Sequence, residues 1–118
     1  MSENSSRSPV YSITEARIKT LFEEIRPPEH IRSQLDFEYT FDKNTFVLFE
    51  VSPGFKDENE KTKMEVVKAR YIIRREEWDL YWMPGNLKWK RYETEEPVKT
   101  IDEVFEIIDE DKYACFFG

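Results

Sequence analysis

Two segments of the chain repeat apolar residues at the spacing of an amphipathic helix. The first places apolar residues at i, i+3, i+4 and i+7: Ile18, Leu21, Phe22 and Ile25. This spacing predicts a helix with one buried stripe. The preceding Ser12-Ile-Thr-Glu15 matches a capping box, so we expect the helix to start there and to end before Pro27-Pro28.

The second helical segment lies near the end of the chain. Thr100-Ile-Asp-Glu103 matches a further capping box. Behind it the apolar residues again follow helical spacing: Ile101, Val104, Phe105 and Ile108. We therefore predict a second helix with a single apolar face.

Between these segments the period changes from helical spacing to two, which is typical of strands. Residues 35–41 alternate strictly, with Leu35, Phe37, Tyr39 and Phe41 on one face. After the turn residues Asp42-Lys43-Asn44, residues 45–51 are apolar on both faces, so both faces of this second strand need cover. The side chains of Phe46 and Leu48 are the ones that two short helices are expected to leave partly uncovered. A third strand is predicted from about Met64 to Arg74.

The aromatic segment from Glu76 to Tyr92 predicts a hairpin around Pro84-Gly85. A turn of two or of four residues gives the same cross-strand pairs: Trp82 with Leu87, Leu80 with Trp89, Trp78 with Arg91, Asp79 with Lys90, and Tyr81 with Lys88. The opposite charges of Asp79 and Lys90 favour this register. It places one set of residues on the buried face: Trp78, Leu80, Trp82, Leu87 and Trp89, with Val67, Ala69, Tyr71 and Ile73 of the third strand. Ile72, Arg70 and Lys68 share the opposite face with Asp79 and Tyr81.

The order of elements predicts an α+β fold, a five-stranded antiparallel meander sheet flanked by an N-terminal and a C-terminal helix. Residues 1–10 are rich in Ser and predict a flexible tail, and residues 11–118 form a single domain. The apolar ending contains Tyr113, Phe116 and Phe117, which we expect to dock on the sheet or its edge.

Composition narrows the classes of function. The apolar runs are too short for a membrane span and the first ten residues lack the apolar core of a signal peptide, so we expect a cytoplasmic protein without membrane contact. One cysteine, Cys115, and one histidine, His30, leave few ligands for a metal. We expect no metal and no cofactor. Cys115 lies among aromatic residues, as a small buried hydrophobe does, and His30 follows two prolines in a solvated turn.

No set of residues in the sequence supplies a nucleophile, a base and an anion stabiliser together, and the chain has only three glycines. We therefore expect no catalytic residues and a protein that is not an enzyme. Our first hypothesis is a binding or regulatory module that acts through an unknown protein partner or as a homodimer, because the second strand is apolar on both faces.

The charge distribution suggests an alternative. The net charge is −7, yet residues 61–92 carry nine Lys or Arg against four acids, a net +5. The deduced register gathers a basic and aromatic set on one sheet face: Lys68, Arg70, Tyr81, Lys88 and Lys90. Such a face suits weak binding of single-stranded nucleic acid, because cations follow phosphates and rings stack on bases. The competing interpretation is a solvated face with cross-strand ion pairs.

Several stretches resemble a family of small prokaryotic domains described as domain of unknown function 3024. They are "PPEHIRSQLDFEY", "VLFE", "KARYIIRREEWDLYW" with "NLKWKRY", and the ending "IDEVFEIIDEDKYACFFG". The family pattern ends in Phe-Trp-Gly, whereas this chain ends in Phe116-Phe117-Gly118. The resemblance covers about Arg26 to Gly118. It implies one compact domain and carries no known activity.

Overall fold

A five-stranded antiparallel sheet and two helices make up the fold. The computed structural model describes residues 9–54, 57, 59–85, 87–111, 115 and 116. In chain order the elements are α1 (Pro9–Ile25), a single 3-10 turn (Glu29–Ile31), β1 (Asp36–Asp42), β2 (Thr45–Pro53), β3 (Lys61–Ile72), β4 (Glu77–Trp82), β5 (Lys90–Tyr92) and α2 (Ile101–Glu110). The strands follow one another across the sheet in the order β1-β2-β3-β4-β5. The predicted α+β meander between two helices is confirmed.

The first helix begins earlier than its sequence signal. It starts at Pro9, so the prediction that Ser12 caps it is wrong and Pro9 and Val10 do not belong to a tail. A proline fits the first turn of a helix because its fixed φ is helical and its missing N–H would have no partner there. Residues 1–8 of the predicted tail lie outside the described residues. The apolar stripe is confirmed, with Ile18, Leu21 and Phe22 buried.

The second helix follows its sequence signal closely. Thr100 Oγ1 accepts a hydrogen bond from the Glu103 N–H at 3.1 Å, and Glu103 Oε1 accepts one from the Thr100 N–H at 2.9 Å. This is the predicted capping box. Its four predicted apolar residues are buried: Ile101, Val104, Phe105 and Ile108. Arg17 of α1 binds Asp102 of α2 through its Nε at 3.0 Å, which joins the two helices.

The core lies between the helices and one face of the sheet, called here the inner face. Phe46 and Leu48 of β2 are fully buried, and the Phe46 ring lies 5.2 Å from that of Phe105 in α2. On the α1 side the rings of Phe22 and Tyr39 are 4.8 Å apart. The expectation that Phe46 and Leu48 lack cover is therefore wrong, because both helices pack on this face.

The turn between β3 and β4 is centred one residue earlier than predicted. Val67 pairs with Trp82, Ala69 with Leu80 and Tyr71 with Trp78, whereas counting through residues 74–77 pairs Ala69 with Trp82 and Tyr71 with Leu80. Because the pairing differs by two residues, an even number, the faces of both strands are as predicted. Ile73 departs from the prediction. It lies beyond the last pair and is 67% exposed, because β3 ends at Ile72 rather than at Arg74.

The register between β4 and β5 differs from the prediction. Trp82 pairs with Lys90, Tyr81 with Arg91 and Leu80 with Tyr92. The connection spans residues 83–89, and within it Leu87 has a φ of 62° and is 79% exposed. A left-handed leucine cannot continue a strand, so pairing starts three residues later than predicted. Because three is odd, β5 presents the opposite face.

The slip of β5 changes which aromatic ring enters the core. Tyr92 is buried and its ring lies 5.0 Å from that of Phe116, whereas Trp89 is half-exposed. Phe116 is docked against the sheet as expected. Tyr113 and Phe117 lie outside the described residues.

Strand β3 contains one residue more than β2 over the same length. Leu48 pairs with Val67, whereas the next residue, Phe49, pairs with Glu65. Val66 is therefore the extra residue of a β-bulge, and it is buried together with Val67. A bulge bends its strand and increases the local twist. In the described part of the chain, neither helix is both long and apolar enough to cross a membrane.

Candidate functional site

The face of the sheet turned away from α1 and α2, called here the outer face, carries most of the candidate residues. Its central row crosses all five strands through successive pairs: Thr40, Val47, Lys68, Tyr81 and Arg91. The row combines an apolar, an aromatic and two basic side chains on adjacent strands. It is the surface on which the sequence placed its candidate site.

A lysine on two aromatic rings marks the centre of the outer face. Lys68 Nζ lies 4.7 Å from the centroid of the Tyr81 ring and 5.1 Å from that of Trp89. All three side chains are half-buried. Both distances fall within the range of a cation–π interaction, so the ammonium group is held at the rings rather than extended into solvent.

A buried carboxylate connects the outer face to the β3–β4 turn. Asp79 is 5% exposed, and its two oxygens accept hydrogen bonds from Arg75 Nη2 at 2.7 Å and from Arg91 Nη2 at 2.9 Å. The hydrogen bond to Asp79 raises the pKa of Arg75 further. Burying a carboxylate requires such partners, and here they attach β5 to the turn.

The structure gathers three of the five predicted site residues. Lys68 and Tyr81 are paired and Arg70 lies two residues along the same strand, on the same face. Lys88 is exposed in the connection before β5 and does not oppose Tyr81. Lys90 lies on the inner face, with Nζ 5.8 Å from the Trp82 ring. The three-residue shift of β5 relative to the predicted pairing explains the positions of both Lys88 and Lys90.

Two residues that the predicted register excluded from this face belong to it. Trp89 shares Lys68 with Tyr81, and Arg91 pairs with Tyr81. The predicted register had placed both on the buried side. Tyr92 could have indicated this arrangement from the sequence. Its large ring can fill the core only if the neighbouring Arg91 points outward.

Strand β2 adds apolar surface to the outer face. Val47 and Phe49 are half-buried there, and the Phe49 ring lies 5.2 Å from Lys63 Nζ. That ammonium also contacts Glu38 Oε1 at 2.8 Å. The doubly apolar pattern of residues 45–51 was the signal for this surface, although the exposed residues are on the opposite face from those expected.

The remaining chemical groups lie elsewhere. Cys115 is half-buried, and burial, assisted by the charge of Asp111, raises the pKa of its thiol. His30 is exposed in the 3-10 turn, as expected. Within the described ranges, no group of three or more His, Cys, Asp and Glu is arranged to hold a metal ion. The outer face therefore offers cations, aromatic rings and apolar contact area.

Comparison with known proteins gives one match. No curated protein and no solved structure matches the sequence. The match is to the model of a family described as a domain of unknown function, DUF3024, and it extends over residues 6–118. It spans nearly the whole chain, including every strand of the sheet and both helices, and so the chain belongs to the DUF3024 family.

Proposed function

We propose that this chain is a small, non-enzymatic binding module that works through the outer face of its sheet, with a second copy of itself as the first partner. The proposal places it in the cytoplasm. Its single cysteine, which excludes an intrachain disulfide, suits a reducing compartment.

The observation that carries the proposal is the apolar content of a face that both helices leave open. Four of its apolar and aromatic side chains are only half-buried: Val47, Phe49, Tyr81 and Trp89. They lie on β2, on β4 and in the connection before β5, and charged residues surround them. Apolar surface of this kind, rimmed by polar groups, is typical of protein interaction sites.

The outward positions of β1 are acidic, whereas the middle of β3 and β5 carries bases: Asp36, Glu38 and Asp42 against Lys68, Arg70 and Arg91. Within one copy, Asp36 already pairs with Arg26, Glu38 with Lys63 and Arg91 with Asp79, so attraction between copies rests mainly on Asp42, Lys68 and Arg70. A two-fold axis parallel to the strands would lay the acidic edge of each copy over the basic side of the other. Complementary charge fixes the orientation of partners in this way.

Pairing through the free edge of β1 is less favourable than pairing through the face. Two antiparallel copies of β1 centred on Tyr39 would set Asp36 opposite Asp42 of the other copy. Like charges directly across from one another destabilise a strand pair, and acidic edges discourage such pairing in natural sheets. Self-association is therefore assigned to the outer face.

The test is the mass in solution across a concentration series. Sedimentation equilibrium of the full chain should show a species of twice 14.3 kDa. Phe49→Glu should return it to the monomer, because it places a charge in the centre of the interface. Met64→Glu is the matched control, since Met64 is 59% exposed and opposes Glu50 on the inner side of the sheet. A wild-type chain that stays monomeric up to millimolar concentration would refute self-association.

A second candidate, weak binding of single-stranded nucleic acid, is supported by Lys68 between the Tyr81 and Trp89 rings. Cations beside stacking platforms are what such ligands require. In a low-salt titration with oligothymidylate, Tyr81→Ala should weaken binding by about 1–3 kcal/mol per stacked base. Lys90→Ala should leave it unchanged, because Lys90 lies on the other face. Affinity should fall steeply with salt, and a flat titration at low salt would remove this candidate.

A further inference from the structure

A cleft separate from the outer face opens at one end of the sheet, on the helix side. It has a volume of about 620 Å³ and lies between α1, the β1–β2 turn, the β3–β4 turn and the start of α2. Pockets for small ligands commonly have volumes of this size. Three aromatic residues form its floor: Phe41, Tyr71 and Trp78.

The cleft combines aromatic and aliphatic residues with a polar part of its lining. The Tyr71 and Trp78 rings lie 5.2 Å apart at an interplanar angle of 56°, and Trp78 and Ile101 are both buried. At the rim, Ile73 is 67% exposed. This exposed isoleucine lies beside the aromatic surface of the cleft. A planar apolar molecule bound there would remove the side chain from water, which favours binding.

The mouth of the cleft carries a weakly paired cation. Lys99 Nζ is 3.7 Å from Glu77 Oε2, and the other oxygen of that carboxylate is 3.3 Å from Arg75. Arg75 and Arg91 also share Asp79. Three cations thus share two carboxylates in this group, and Lys99 has the longest ion-pair distance.

The chemistry of the mouth selects the charge of a ligand. The backbone N–H groups of Lys99 and Thr100 already donate to Glu103 Oε1 at 2.8 and 2.9 Å. An anionic group of a ligand would therefore contact the Lys99 ammonium group rather than the helix backbone. Glu76 lies at the rim and would repel an anion placed beside it. We propose that the cleft binds a small planar aromatic molecule that carries one carboxylate, with its ring packed against Tyr71 and Ile73 and its carboxylate at Lys99.

The experiment is an NMR titration of the full, ¹⁵N-labelled chain with 2-naphthoate, with 2-(aminomethyl)naphthalene as the probe of opposite charge. Saturable shifts should appear at the amides of Asn44, Ile73 and Ile101, and naphthoate should bind about tenfold more tightly than the amine, the preference that one ion pair of about 1.4 kcal/mol confers. Absence of saturation, or shifts confined to the outer face, would overturn the site. Equal binding of the amine would overturn the ligand class.

Substitutions at the cleft separate its apolar and charged parts. Ile73→Asp should weaken naphthoate binding by about tenfold and Lys99→Met by about fivefold, since each removes one contact of modest energy. Met64→Asp and Lys61→Met are matched controls on exposed residues away from the cleft and should change nothing. Glu76→Gln should strengthen binding of the anion. Controls that weaken binding as much as the cleft variants would overturn the proposal.

Discussion

Truncation of Tyr92 tests the register of β5 most directly. Tyr92 is 8% exposed, opposes Leu80 and packs its ring 5.0 Å from that of Phe116. Removing a buried aromatic ring typically costs about 3–5 kcal/mol of unfolding free energy, and we expect Tyr92→Ala to fall in this range. Trp89 is half-exposed and contacts Lys68. Loss of an exposed cation–π contact costs about 0.5–1 kcal/mol, so with its partial burial Trp89→Ala should cost about 1 kcal/mol.

The assay is urea unfolding followed by far-UV circular dichroism, because one variant removes a tryptophan and so alters the fluorescence signal. With a slope of about 2 kcal/mol per molar urea, a loss of 4 kcal/mol lowers the midpoint by about 2 M. Trp89→Ala should lower it by about 0.5 M on the same basis. The two substitutions are therefore easily distinguished.

The reverse order of the two variants would refute this reasoning. If Trp89→Ala were the more destabilising, Trp89 would be the buried ring and β5 would present its other face. Lys90 would then return to the outer face beside Lys68. Cross-strand nuclear Overhauser contacts between Leu80 and Tyr92 provide an independent check, since these residues are directly paired.

Three further predictions concern stability. Asp79→Ala should lower the unfolding free energy by about 1.5–3 kcal/mol, because it removes charge-assisted hydrogen bonds to two arginines; an unchanged melting temperature would contradict this. Thr100→Ala should cost about 1 kcal/mol by removing the α2 cap, and Thr100→Ser should restore most of it in the same melting assay. The hydrogen bond from Arg26 lowers the pKa of the Asp36 carboxyl, so the unfolded chain binds more protons than the folded chain near the ordinary carboxyl pKa. The stability that this ion pair adds at neutral pH is therefore lost as the pH falls below about 4. Urea midpoints against pH should show a shallower acid loss for Asp36→Asn than for Asp42→Asn, the matched substitution on the same strand.

The sequence predicted element boundaries and strand faces correctly where a single physical signal dominated. The Thr100 to Glu103 capping box fixed the start of α2, because few other residue pairs satisfy the free N–H groups of a helix. The faces of β3 and β4 followed from alternation on both sides of a short turn, because a slip by one residue would have buried Lys68. Their pairing is two residues away from the predicted one, since alternation cannot distinguish registers that differ by an even number. At the first helix the same reasoning failed, since Pro9 opens the helix before the Ser12 signal is reached.

The β4–β5 register was not predictable from charge. Asp79 is satisfied by Arg91 in the structure and would have been satisfied by Lys90 in the predicted register, so opposite charges did not discriminate. The turn was assumed to be short, whereas Leu87 adopts a left-handed conformation and lengthens the connection. A leucine is rarely found there. The outward face of Lys68, Arg70 and Tyr81 on β3 and β4 was therefore predicted correctly, although Tyr81 pairs with Lys68 rather than with Arg70. The part of the candidate site on β5 was not predicted.

The bulge at Val66 has a consequence for how relatives of this chain can differ in length. Because Leu48 pairs with Val67 and Phe49 with Glu65, a homologue lacking this one valine would have a regular strand with every flanking side chain on its present side. Loss of a single residue elsewhere in β3 would reverse the sides of all residues on one side of the deletion, unless the bulge disappeared with it. Val66 is thus the position in the strand where evolution can add or remove one residue while conserving both surfaces of the sheet.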